Sequence, residues 1–201
     1  MIKIFLVAGV ALLLYHRSLG QTGFNDSLAL SRNTYTRNAM TSLGGFAVAN
    51  IAAGFIAAGQ TRGETRYFWR MNAYWNLVNL GVAAMGYLGA QRALGRTYTL
   101  AQNEKAQLAV EKTYVLNFGL DLVYITGGFY LRERGLSESN PVSRDQYRGY
   151  GSSIALQGGF LAVMDGIMVM LHHHNSIRLN RHLQGLAWQV GPGTLGLTYN
   201  L

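Results

Sequence analysis

The sequence predicts an all-α fold: a four-helix transmembrane bundle of two helical hairpins, with a short β-like tail at the carboxyl end. Three observations lead there. Four stretches, at about 39–59, 71–91, 113–131 and 150–171, are almost free of charge. Each is long enough, at 1.5 Å per residue, to cross a hydrocarbon layer of about 30 Å. Charged residues make up 13% of the 201, about half the share near 25% usual in soluble domains. The apolar runs are about twenty residues long and lack period-two alternation, so they read as helices and not barrel strands.

The first element is a targeting segment. A short positive start at 1–3 precedes an apolar run over 4–14, too short to span as a helix. Tyr15, His16 and Arg17 end it, and Ser18 and Gly20 place small residues before a cleavage point at Gln21. Residues 1–20 are therefore read as a secretory signal peptide, with an uncleaved anchor helix as the alternative. That leaves 21–182 as the membrane domain and 183–201 as the tail.

A polar, amphipathic lead-in at 25–38 precedes the first span, with Asp26 or Ser27 available as N-cap. The stretch 60–70 carries Arg62, Glu64, Arg66 and Arg70. The stretch 92–112 carries Arg96, Glu104, Lys105 and Glu111, and is expected to form a surface helix from about Leu100. The loop 132–148 holds Pro141 and four arginines, and the fourth helix is expected to run on through 172–181. In the tail, Gly191-Pro192-Gly193 separates two short runs that read as a hairpin, either a packed end or an edge for strand addition.

Orientation follows from the signal peptide, which puts the mature amino terminus outside the cytoplasm. Arg62, Arg66, Arg70, Arg132, Arg134, Arg144 and Arg148 then face the cytoplasm. The opposite side keeps about as many cations, so loop charge does not decide. The expected location is the cytoplasmic membrane.

The polar residues inside the apolar runs carry the functional question. In the second span Asn72, Asn76 and Asn79 recur on one helical face, followed by Ala83 and Gly86. Thr113, Asn117, Asp121, Tyr124 and Gly128 make the same stripe in the third. Gln157 and Asp165 align in the fourth beside Gly158, Ala162 and Gly166, and Asn50 aligns with Ala47, Gly54 and Ala58 in the first. Small residues admit close helix approach and amides bond across the seam, so the four stripes are expected to face one another. Two readings stand. The groups are interhelical glue, each bond contributing on the order of 1 kcal/mol, or they line a buried polar pathway. Asp121 and Asp165 favour the second, because a central Asp costs about 2.5–3.5 kcal/mol to insert and an amide glues more cheaply. Two such carboxyls close together can share a proton.

His172, His173 and His174 end the fourth span. Adjacent helical residues point about 100° apart, so three in a row cannot face one metal ion. They read as a cationic helix end suited to the dipole, with His172 and His174 as weak metal candidates. No metal or other cofactor is expected.

The net charge of +8 comes almost wholly from arginines at the ends of apolar segments, where lipid headgroups lie. No long basic run points to nucleic acid. The absence of Cys excludes disulfides, thiolate metal sites and cysteine nucleophiles. No phosphate loop, GxSxG or HExxH occurs, so a non-enzyme is expected.

The run ETRYFWRMNAYWNLVNLGVAAMGYLG, preceded by GGFAVANIAAGFIAAGQTRG, resembles an uncharacterised family of small four-helix bacterial membrane proteins. Its most specific part is Tyr67-Phe68 leading into Met71-Asn72, Trp75-Asn76 and Val78-Asn79-Leu80. The resemblance covers about 39–181. It implies a four-helix membrane bundle of bacterial origin, and so a bacterial inner membrane as the location, with no assigned activity, and supplies no catalytic residues. The resulting expectation is a non-catalytic scaffold or accessory subunit whose partners are the bilayer and other membrane or envelope proteins. The alternative is a small proton-linked carrier or channel using Asp121 and Asp165.

Overall fold

The computed structural model describes residues 23–184, 186–191 and 194–199. The expected signal peptide at 1–20 lies outside the described residues. Four long helices form the body: α1 (Phe24–Gln60), α2 (Gly63–Ala93), α3 (Leu100–Leu136) and α4 (Pro141–Gln184). Two strands follow, β1 (Leu186–Gly191) and β2 (Thr194–Tyr199). They pair antiparallel, with Leu186 opposite Tyr199 and Gly191 opposite Thr194.

The helices are longer than the apolar runs that announce them. α1 has 37 residues and α4 has 44, or about 55 and 66 Å of rise. The lead-in at 25–38 is the first part of α1, and the surface helix expected from Leu100 runs without a break into the third apolar run as α3. The expected N-cap also moves. α1 starts after Gly23, with no side-chain cap bond, so Asp26 sits in the first turn where its charge suits the helix dipole. Ser27 Oγ donates back to the Phe24 carbonyl at 2.8 Å instead of capping.

The turns are chemically defined. Gly63, at φ +59°, opens α2 in a conformation that favours glycine. Thr99 and Gln102 form a reciprocal capping box at the start of α3, with bonds of 3.0 and 3.3 Å. Asn140 Oδ1 accepts from the backbone N–H groups of Val142 and Ser143 at 2.9 and 3.2 Å, with Pro141 at the first position of α4.

α1 packs on α2, α3 packs on α4, and α2 and α4 join the two hairpins. Close approach depends on glycine. A Cβ at Gly128 of α3 would stand 2.5 Å from the Ala155 nitrogen of α4, and one at Gly151 would stand 2.5 Å from the Gly128 carbonyl oxygen. A small apolar cluster of Ala39, Met40, Leu43, Ala83, Tyr114, Met164 and Met168 fills mid-bundle. Much of the remaining apolar surface points outward: Val78, Met85, Leu116, Val123 and Met170 are each more than 60% exposed. Among the described residues, α1 and α4 are long and apolar enough to cross a membrane.

Candidate functional site

The interior holds three polar assemblies at different heights. The first ties α1, α2 and α4 together. Asn50 Nδ2 donates to the Phe46 carbonyl at 2.8 Å. Asn72 Nδ2 donates to Asn50 Oδ1 at 3.1 Å and to its carbonyl at 3.3 Å. Gln157 Nε2 of α4 donates to Asn72 Oδ1. Asn76 Nδ2 donates to the Asn72 carbonyl at 2.8 Å, and Asn79 Nδ2 to Asn76 Oδ1 at 3.3 Å. Asn72, Asn76 and Gln157 are almost wholly buried. A recurring face on α2 thus becomes a hydrogen-bonded seam across three helices. Gln157 Oε1 finds no partner among the described residues.

The second assembly is the carboxyl pair. Asp121 of α3 and Asp165 of α4 are both buried, and their carboxyls are close enough to interact electrostatically. Two ionised carboxylates offer only acceptors, so a bond between them needs a shared proton. Asp121 Oδ2 has no partner among the described residues. Asn117, one turn before Asp121, does not join either group. It is half-buried and makes no side-chain hydrogen bond to the described residues.

The third assembly lies beyond the apolar runs, where α1 and α3 begin and α4 ends. Arg32 is 1% exposed. Its Nη1 donates to Asn103 Oδ1 and, at 3.3 Å, to the Asn103 carbonyl. Tyr98 lies against the guanidinium, its ring centroid 5.0 Å from Cζ. Asn103 Nδ2 reaches Asn25 Oδ1 and the Asn25 carbonyl, each at 2.7 Å. Gln107 Nε2 donates to the His172 carbonyl at 2.8 Å. His172 is fully buried, stacked on Tyr114 with centroids 5.1 Å apart and edge-on to Tyr35 at 6.2 Å.

The three histidines diverge as their spacing requires. His172 points inward, His173 meets Glu111 on the surface, and His174 is exposed. Among the described residues, no group of three or more His, Asp or Glu side chains is placed to hold a metal ion.

Glu111 clamps α3 to α4. Its carboxylate accepts from Ser176 Oγ and, at 2.8 Å, from His173 Nδ1, which must carry the hydrogen. Burial pushes its pKa up, but these bonds and the His173 charge outweigh burial and leave it below the ordinary glutamate value. A depressed carboxylate stabilises the fold above its unfolded pKa and loses that contribution as pH falls through the folded one. Glu111→Gln is therefore expected to lower stability by about 1 kcal/mol at neutral pH and less in acid. Thermal unfolding in mild detergent across pH checks this; an equal loss at every pH would remove the ionic part of the clamp.

The sequence stripes lead to Asn50, Asn72, Asn76, Asn79, Gln157, Asp121 and Asp165, but not to Arg32, Asn103, Gln107 or Asn175, the last a fully buried residue of α4 three positions after His172. A weaker signal for these was present. Asn25 and Arg32 lie seven residues apart, Asn103 and Gln107 four apart, each pair on one helical face.

No curated protein and no solved structure matches this chain. The family model DUF6992, a family of unknown function, matches residues 42–166, which include the whole amide seam and both carboxyls. The chain belongs to that family.

Proposed function

We propose that this protein is a four-span bacterial inner-membrane bundle acting as a non-catalytic scaffold or accessory subunit of an envelope complex. The distribution of polarity carries the reading. Amides and carboxyls are buried while large apolar side chains cover the outside of all four helices, the reverse of a soluble core. The helices that fall short on apolar composition, α2 and α3, contain Asn72, Asn76, Asn79 and Asp121. These lower their average yet face inward. Their outer faces carry Leu77, Val78, Val82 and Met85, and Val115, Leu116, Leu122 and Val123. Lipid meets the outer face, not the average. Direct bonds between helices that join half-buried Asn50 to the buried Asn72 and Gln157 support a structural role for the seam. The mature amino terminus lies outside the cytoplasm, and membrane or envelope proteins dock on the lipid-facing or terminal surfaces.

A specific observation favours a second reading. The Asp121–Asp165 pair is buried with no ion pair to a cation among the described residues, an arrangement that suits a proton-linked carrier or channel. Reconstitution into vesicles with an internal pH dye separates the two. A scaffold gives no protein-dependent proton flux, and Asp121→Asn and Asp165→Asn leave the traces unchanged. Flux in the unmodified protein that disappears in folded Asn variants assigns transport instead. Failure of the protein to enter the bilayer fraction at all removes both readings.

A further inference from the structure

We propose that a single small anion of halide size binds between α1, α3 and α4, held by Arg32 and Asn175. Ring contacts fix the antiparallel register of α1 and α4. Phe24 stacks on His182 at 3.9 Å, Tyr35 meets His172 at 6.2 Å, and Phe46 stacks on Phe160 at 3.6 Å. Between the first two, that register sets Leu28 level with Leu179 and Arg32 level with Asn175. Asn103 reaches the same layer from α3 through its bonds to Arg32.

This layer is closed and unbalanced. Leu28 and Leu179 are 0% and 3% exposed and seal it toward the helix ends, while Tyr35, Tyr114 and His172 close it toward mid-bundle. Within it, Arg32 Nη2, Asn175 Nδ2 and both His172 ring nitrogens are buried with no hydrogen-bond partner among the described residues. No carboxylate of those residues forms a salt bridge to Arg32. Tyr98 offers a ring face and a hydroxyl, dipoles and not a counter-charge. Glu111 is engaged by Ser176 and His173. A guanidinium removed from water without an opposite charge is strongly unfavourable, and unpaired buried donors add to the cost. A water alone could satisfy the donors but not the charge. The enclosure favours a monoatomic ion over a lipid headgroup phosphate. The leftover acceptors Gln107 Oε1 and Asn175 Oδ1 suit a water accompanying the ion.

The test uses the full chain in uncharged, phospholipid-free detergent with gluconate as the starting anion. Sodium bromide or chloride is titrated at constant ionic strength. Thermal midpoint and chloride-35 NMR linewidth are read. A saturable rise in midpoint and a saturable broadening displaced by bromide are expected. Arg32→Gln is expected to abolish both. Asn175→Leu keeps the cation and is expected to weaken binding about tenfold or more, the equivalent of one hydrogen bond to a charged group. No saturable halide response, an unchanged affinity in Asn175→Leu, or stabilisation by anionic phospholipid but not by halide would each overturn the proposal.

Discussion

Alanine at Gly128 is expected to destabilise the bundle by about 3 kcal/mol, while alanine at the adjacent Gly127 is expected to be neutral or to stabilise by up to about 1 kcal/mol. The two positions differ by one residue and by about 100° of helical rotation. A Cβ at Gly128 meets the Ala155 nitrogen at 2.5 Å, the Gly151 carbonyl oxygen at 2.7 Å and the Ala155 Cα at 2.9 Å, all backbone atoms that no rotamer change can move. Relief requires the axes of α3 and α4 to separate, and that weakens the most extensive helix pairing among the described residues. At Gly127 nothing lies within 4 Å, so the same methyl group only removes the entropic cost of glycine in a helix. Urea or thermal unfolding in mild detergent measures both variants. Equal effects at the two positions would mean that α3 and α4 do not meet through this face. Gly151→Ala is expected to behave like Gly128→Ala, because the two residues are reciprocal partners.

Separation of α3 and α4 would also move Asp121 away from Asp165. That links a packing change to the carboxyl pair without touching either acid. Under the transport reading, folded Gly128→Ala protein would lose flux together with stability. Under the scaffold reading, only stability would change.

The helices were legible because uncharged runs of bilayer length leave few alternatives, and because Asn72, Asn76 and Asn79 repeat at helical spacing. Their ends were not legible. Apolar length reports how far the uncharged surface extends, whereas a helix continues for as long as its backbone bonds are made and a face is packed. Residues 25–38 stay helical because Leu28, Ala29, Arg32 and Asn33 are buried against neighbouring elements. Asn103 and Gln107 do the same for the start of α3. The buried Arg32 was hidden for a related reason. An arginine just outside an apolar run reads as a headgroup contact, and only the tertiary fold reveals that it is buried against Asn103. Asn117 shows the converse. It shares the face spacing of Asp121, yet it stays half-buried and makes no side-chain hydrogen bond to the described residues.

Asn72→Leu is the second large effect, expected to cost about 2–3 kcal/mol. Asn72 bonds to both flanking helices, accepting from Gln157 Nε2 and donating to Asn50 Oδ1. A hydrogen bond between helices in a membrane protein averages about 0.6 kcal/mol, so loss of the bonds alone would be modest. Stranding buried groups without partners costs more, about 1–3 kcal/mol each. That penalty falls mainly on Gln157, which is 1% exposed and whose Oε1 already lacks a partner among the described residues. The double variant Asn72→Leu with Gln157→Leu is therefore expected to be more stable than Asn72→Leu alone, since removing both partners strands neither. Asn117→Leu is expected to change stability by less than about 0.5 kcal/mol. Denaturation of the unmodified protein, Asn72→Leu, Gln157→Leu and the double variant in one detergent completes the cycle. Additive losses would mean that Asn72 and Gln157 act independently and that the seam does not join α2 to α4. A recovered double variant would leave the amides a structural task and confine any proton chemistry to Asp121 and Asp165.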